Sequence, residues 1–182
     1  MKGVLKGAIV AALFAVGGNA AGQDSDYAGM SAQAVEMIQR APSVIPPDVV
    51  LAAIERRLWV KDRYTDNLVY PASEIPMGKR EKILGYISYI PFEGGHPLFQ
   101  CFTNNNVNMF TSRDPSCEGL PQFSYHRPII GYIASTQFEG SVPLYRCFRN
   151  TNNWGDHFDT LDPGCEGMSH TQNDGVMGYI WL

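Results

Sequence analysis

The sequence predicts a mainly β protein with a small N-terminal α segment and two tandem, disulfide-stapled β repeats in a pseudo-twofold relation. Three observations lead to this fold class. The C-terminal half repeats itself, the repeated segments are short aromatic and branched runs between turn residues, and the four cysteines take matching places in the two copies. Short runs of this composition, bounded by Gly, Pro and Asn, are typical of strands and turns.

The internal repeat consists of whole segments that recur in the same order and at nearly the same spacing. It divides residues 83–182 into two copies, 83–128 and 129–182. Four pairs of segments match, the first three at an offset of 46 residues and the last at 48: 83–87 with 129–133, 92–94 with 138–140, 97–102 with 143–148, and 114–119 with 162–167. We expect each Gly-Tyr-Ile strand to pair with strands of the neighbouring copy, and a third Gly-Tyr-Ile at 178–180 to close the array.

The four cysteines predict one disulfide in each copy. An even number of cysteines in an exported chain indicates disulfide bonds, and four cysteines allow three pairings. Only Cys101–Cys117 with Cys147–Cys165 repeats the same local geometry twice. Each bridge would close a loop of roughly 16–18 residues and stabilise the fold by about 3 kcal/mol in the chain-entropy model.

Residues 1–20 have the order of a secretory signal peptide. Lys2 and Lys6 precede an uninterrupted apolar run at 8–16, and small residues follow it up to Ala20. The run is far short of the ~20 residues that span a bilayer, which argues against the alternative of an uncleaved anchor. The sequence therefore predicts a secreted or periplasmic protein.

Residues 21–82 predict a helical cap on the β domain at 83–182. The segment 47–58 has Pro in its first turn and an apolar residue at every fourth position from Val50 to Leu58, which is the pattern of an amphipathic helix. The other elements expected here are a shorter helix at 31–40 and an extended segment at 59–70. Such a cap would cover an exposed sheet edge; the alternative is a partner-binding segment or a pro-segment.

Composition and charge narrow the class of partner. The net charge is −4, so nothing in the chain attracts a phosphate backbone, which disfavours nucleic acid. Charged residues make up 18% and aromatic residues 12%, as in ordered β domains rather than disordered chains. We expect no membrane span after the signal peptide, no metal and no cofactor.

The two copies differ in a pair of charges. Arg146 alternates onto the apolar face of its strand, where a charge needs a partner. The 129–182 copy has Arg146 and Asp156 where the 83–128 copy has Gln100 and Asn108. This exchange of two charges for two neutral groups predicts that Arg146 pairs with Asp156.

The polar loop around Trp154 predicts a ligand site that is present once. An exposed indole can stack on the apolar face of a sugar while neighbouring polar groups bond its hydroxyls. The predicted ligand-binding residues are Arg146, Asn152, Trp154, Asp156 and His157. The alternative for Trp154 is a loop aromatic that folds back on the core.

His157 stands between Asp156 and Asp159, which raises the alternative of a small hydrolase. General acid–base catalysis needs such groups to converge in a cleft. The sequence offers one histidine there and no recognisable nucleophile, so a structural ion pair with a surface histidine is the preferred interpretation. The sequence therefore favours a binding module over an enzyme.

The 129–182 copy resembles a repeat of unknown function in many exported bacterial and fungal proteins. The matching residues are 143–146 (PLYR), Asn150, 155–158 (GDHF), Thr160 and 166–167 (EG). The 83–128 copy departs from this pattern at Gln100, Val107, Asn108 and Met109, and the cysteines and residues 22–82 have no counterpart in it. The resemblance implies an accessory module that binds carbohydrate or a cell surface, with no established catalytic residues.

Together these features predict an exported, non-enzymatic binding module for a glycan or a cell-surface polymer. A secreted protein-interaction factor, such as an inhibitor or a toxin component, is the alternative from another class. A broad apolar patch would favour that protein partner, whereas a polar patch with an exposed ring would favour the glycan.

Overall fold

The computed structural model describes residues 31–32, 35, 45–61, 64–73, 77–103, 108–120, 128–151 and 154–182. In this part of the chain no helix is long and apolar enough to cross a membrane. The predicted signal peptide and most of the predicted helix at 31–40 lie outside the described residues. Both therefore stay predictions.

The described residues form nine strands and two single turns of 3-10 helix. The strands are β1 Leu51–Lys61, β2 Tyr64–Pro71, β3 Lys79–Ser88, β4 Gly95–Phe102, β5 Met109–Ser112, β6 Ile129–Ala134, β7 Ser141–Thr151, β8 Trp154–Thr160 and β9 Thr171–Trp181. The 3-10 turns are Cys117–Gly119 and Cys165–Gly167. The protein is thus mainly β, as predicted.

The strands group into three units of the same topology: β1–β3, β4–β6 and β7–β9, called here the first, second and third unit. In each, a two-stranded hairpin is followed by a strand that returns antiparallel to the hairpin's first strand. The registers match as well: Ile54 pairs with Gly85, Leu98 with Gly131, and Leu144 with Gly178. In all three, the register shifts directly after that pair.

The three units close around a pseudo-threefold axis. Their last strands pair with one another in a triangle, through Ser88 with Tyr132, Ala134 with Tyr179, and Tyr86 with Trp181. The glycine of each Gly-Tyr-Ile allows this contact. A Cβ on Gly85, Gly131 or Gly178 would lie within 2.6–2.8 Å of a backbone oxygen of the neighbouring unit. The close approach explains why this tripeptide occurs three times.

The main core fills the space between the units. Its central side chains are Ile54, Leu98 and Leu144, which occupy the same position in the three units and are fully buried. The predicted disulfides are confirmed: Cys101 bonds Cys117 and Cys147 bonds Cys165. Each joins a β-hairpin to the 3-10 turn of its own unit.

The predicted helix at 47–58 is wrong, because residues 51–61 form strand β1. Burial explains the error. Ile54, Glu55 and Arg56 are consecutive and all nearly inaccessible, at 0%, 3% and 6% exposure, which fits a strand covered on both faces rather than a helix on the surface. The extended segment predicted at 59–70 is confirmed for residues 59–61, at the end of β1, and for residues 64–70, in β2.

The predicted helical cap at 21–82 is therefore replaced, over residues 51–88, by a complete first unit. This also changes the predicted pseudo-twofold relation into a threefold one. Upstream of β1, Ser31 contacts the third unit: its backbone N–H and its hydroxyl donate to the carboxylate of Asp162, at 2.9 and 3.1 Å. The N-terminal segment thus reaches the β domain at this point.

Candidate functional site

A ring of side chains links the three hairpins near the pseudo-threefold axis. Asp66, Asn108 and Asp156 occupy equivalent positions in β2, just before β5 and in β8. Each accepts the backbone N–H that follows its counterpart in the next unit. The bonds run from Met109 to Asp66 at 3.0 Å, from His157 to Asn108 at 3.2 Å, and from Asn67 to Asp156 at 3.1 Å. The Asn108–Asp156 correspondence seen in the sequence is a consequence of this ring.

Arg146 lies on the opposite face of its hairpin from Asp156. It donates to Glu118 at 2.7 Å and to the carbonyl oxygen of Thr111 at 2.8 Å, both in the second unit, and to Asp174 at 3.2 Å. The predicted Arg146–Asp156 pair is therefore wrong. The register explains it, since β7 places Arg146 opposite Asp159, and a shift of three residues reverses the face.

Arg56 repeats the same set of contacts in the first unit. Its guanidinium donates to Glu166 at 2.9 Å and to the carbonyl oxygen of Asp159 at 3.2 Å, both in the third unit, and to Glu81 at 2.9 Å. It also lies over the ring of Phe158, at 5.4 Å from the ring centroid. At two of the three interfaces, an arginine therefore binds residues of the neighbouring unit. Gln100 occupies the equivalent position in the second unit.

Two buried carboxyl groups and one histidine have strongly shifted pKa values. Burial raises the pKa of Asp66 to about 8, and that of Asp159 to about 7. Burial, together with the nearby Arg146, lowers the pKa of His157 to about 4. In each of the three groups, burial disfavours the charged form.

The residues of the hydrolase alternative are not arranged around a cleft. Asp156 and His157 point to opposite faces of β8, and the His157 ring packs between Phe110 and Phe148, at 5.2 and 4.8 Å between centroids. The cavity shared by His157 and Asp159 has no room for a water molecule. Across the described part of the chain, no cluster of His, Cys, Asp and Glu could hold a metal.

The predicted ligand-binding residues separate into two groups. Arg146 and Asp156 are buried, at 8% and 2% exposure, and join the units to one another. His157 is half-buried beside them. Trp154 begins β8 and pairs in register with Thr151 at the hairpin tip, but its side chain is not among those described. Asn152 lies outside the described residues.

A polar cleft of about 200 Å³ lies between the first and third units. It opens to solvent at Thr65 and Glu81, which are exposed. The lining residues are Arg56, Leu58, Thr65, Asn67 and Glu81 from the first unit, and Arg149, Phe158 and Met168 from the third. We refer to this set as the polar cleft.

The equivalent space between the third and second units is filled. There Phe148 and His157 stand in the places of Leu58 and Asn67, and their rings are in contact. Gly155 stands in the place of Thr65, where a Cβ would come within 2.3 Å of the Phe148 ring. The smaller residues of the first unit leave the polar cleft open.

The equivalent space between the second and first units is filled as well, by apolar side chains. Leu68, Tyr70 and Met109 form a buried cluster against which Trp59 and Phe102 pack. Of the three equivalent interfaces, only that between the first and third units combines open volume with charged and amide groups in the described residues. Sequence reasoning missed it because the first unit had not been recognised.

Arg149 makes two side-chain contacts in the polar cleft. Its Nη2 donates to Asp156 at 3.2 Å, and its Nη1 approaches the sulfur of Met168 at 3.7 Å. Its Nε is buried, and among the described residues no atom accepts its hydrogen. Buried N–H groups are normally paired, so the hydrogen bonding of Arg149 is incomplete within the described residues.

Comparison with protein-family models, with curated protein sequences and with solved structures finds no match for this chain. The resemblance to an exported repeat of unknown function therefore stays a prediction. What the protein binds has to be argued from the geometry of its own residues.

Proposed function

We propose that this chain is an exported, non-enzymatic binding module for a glycan or a cell-surface polymer, and that the polar cleft holds one sugar residue. The observation that carries the proposal is the cleft itself, an open space with charged and amide groups at one interface, while the two equivalent interfaces are filled. The predicted binding residues Arg146 and Asp156 then do not contact the ligand. Asp156 supports the cleft from behind through Asn67 and Arg149, whereas Arg146 joins the third unit to the second.

The chemistry of the lining supports a sugar. Guanidinium, amide, carboxylate and hydroxyl groups from Arg149, Asn67, Glu81 and Thr65 can bond ring hydroxyls as donors and acceptors. Leu58 adds an apolar surface for the C–H face of the ring. The volume of about 200 Å³ is below the ~300–1,000 Å³ typical of drug-sized ligands, which suits a single residue of a longer chain that enters from solvent.

Rigid walls also support a binding role. The cleft is held by the Arg56 contacts on one side and by the Asp156–Asn67 hydrogen bonds, at 2.7 and 3.1 Å, on the other. A site whose side chains are fixed by their neighbours binds without a large ordering cost. The same proposal includes the origin of the three units from one repeated building block. After duplication, one interface between units can change into a binding site while the other two equivalent interfaces preserve the fold.

A glycan array with the wild-type protein and a cleft-filling variant tests the proposal. The variant L58F/T65G/N67H copies the residues that fill the interface between the third and second units, so we expect it to fold but to bind glycan at least tenfold more weakly. Thr65→Ser, which keeps the hydroxyl and the space, is the matched control and is expected to bind as wild type. Melting temperatures of all three proteins verify folding.

Two results would overturn the proposal. Wild-type protein that binds no glycan on the array would refute the function, and undiminished binding by the folded triple variant would refute the site. Trp154→Ala completes the experiment, since weaker binding of that variant would extend the site to the tip of the β7–β8 hairpin.

A further inference from the structure

The charges of the polar cleft are unevenly compensated. Arg56 is bonded to two carboxylates, Glu81 and Glu166, and Lys82 shares Glu166 at 2.9 Å. Arg149 has a single anionic partner, Asp156. Arg149 thus has one carboxylate beside it, whereas Arg56 has two.

Asp156 is shared between Arg149 and Asn67. Its carboxylate accepts the backbone N–H and the side-chain amide of Asn67, at 3.1 and 2.7 Å. Arg149 donates to it through Nη2 alone, at 3.2 Å, so the guanidinium keeps further N–H groups for another acceptor.

Arg149 is not required by the fold. The register places Trp59 and Thr103 at the equivalent positions of the first and second units, so the same hairpin is built without a cation there. This sets Arg149 apart from Arg56 and Arg146, which recur and fasten neighbouring units together. Arg149 is therefore a cation that appears once among the three units, at the interface that holds the polar cleft.

We propose that the polar cleft takes a sugar residue that carries a carboxylate, a hexuronic acid, and that this carboxylate binds the guanidinium of Arg149. The geometry of a guanidinium favours it, because adjacent N–H groups match the two oxygens of a carboxylate. This inference rests on the proposed function and names the ligand class of the same site.

The experiment compares acidic oligosaccharides with their neutral counterparts by isothermal titration calorimetry. The probes are oligomers of galacturonate, glucuronate and mannuronate, each paired with the same oligomer after reduction of its carboxyl groups to primary alcohols. We expect at least one uronate oligomer to bind at least tenfold more tightly than its reduced partner. Acetate at equal carboxylate concentration should not bind measurably, because it lacks the ring contacts.

Variants assign the preference to Arg149. Arg149→Gln should abolish the discrimination between acidic and reduced oligomers, and Arg149→Lys should retain only part of it. Arg113→Gln removes the same charge from an exposed position outside the cleft and should bind as wild type. Thermal unfolding shows that each variant is folded before its affinity is compared.

The outcomes separate the two proposals. If wild-type protein binds uronate and reduced oligomers equally, or if folded Arg149→Gln keeps the preference, the carboxylate inference is overturned while glycan binding stands. If the protein binds neither set, and no sugar on the array, the proposed function fails as well. Binding of acetate as tight as that of the oligomers would show an anion site without sugar specificity, and would also overturn the inference.

Discussion

Replacing Asp66 by Asn should remove a large part of the pH dependence of stability. Asp66 is 1% exposed, and its two carboxylate oxygens accept the same N–H, that of Met109, at 3.1 and 3.0 Å. Asn108 holds the equivalent place in the ring and accepts the N–H of His157 as an amide. An amide at position 66 therefore keeps the hydrogen bond and has no charge to bury.

The sign of the effect follows from the shift. The pKa of Asp66 is raised from 3.8 to about 8, so between these values the folded protein holds a proton that the unfolded chain has released. The unfolding free energy then falls as pH rises, by about 1.4 kcal/mol per pH unit for one proton. From pH 5 to pH 7 the contribution of Asp66 amounts to a loss of about 2.7 kcal/mol.

Urea unfolding at half-unit steps from pH 5 to pH 8 measures this loss. We expect the slope of the Asp66→Asn variant to differ from that of wild type by about +1.4 kcal/mol per pH unit, so that the variant is the more stable protein at pH 8. Asp48→Asn, which changes an exposed carboxylate, should run parallel to wild type. Parallel curves for Asp66→Asn and wild type would refute the burial of a neutral Asp66.

Two further predictions concern the contacts between units. A double-mutant cycle for Arg146→Gln and Glu118→Gln should give a coupling energy of about 1–3 kcal/mol, as for a charged hydrogen bond with one partly exposed partner. The cycle for Arg146→Gln and Asp156→Asn should give less than about 0.5 kcal/mol. Equal coupling energies in the two cycles would contradict the assigned partners. Gly131→Ala should lower the unfolding free energy by about 1–3 kcal/mol, because its Cβ would come within 2.8 Å of a backbone oxygen of the neighbouring unit. An unchanged denaturation midpoint would contradict the close contact between the two units at Gly131.

Features that depend on local chemistry could be predicted from the sequence. Strand composition and turn residues gave the mainly β class, and the matching positions of the cysteines gave both disulfides. The same comparison drew attention to Arg146 and Asp156, which do occupy special places. It could not name their partners, because those lie in other units and are reached only through the threefold arrangement.

The first unit could have been found from one spacing. Ile54 precedes its glycine, Gly85, by 31 residues, and Leu144 precedes Gly178 by 34. The segment was instead interpreted as a helix, because Arg57 stands where the other units have cysteine, and because the apolar residues of β1 also satisfy a helical period. Tertiary pairing on both sides of β1 outweighed that local pattern.

The polar cleft can stay open because other contacts between the three units hold the fold together. The ring of Asp66, Asn108 and Asp156 fixes the hairpins at the axis, and the triangle of last strands fixes the opposite end of each unit. The space between the ring and the triangle is therefore one of several contacts between neighbouring units. Two interfaces fill it with rings and apolar side chains, whereas the third opens it around Arg149, and this division lets a repeated fold carry a single site.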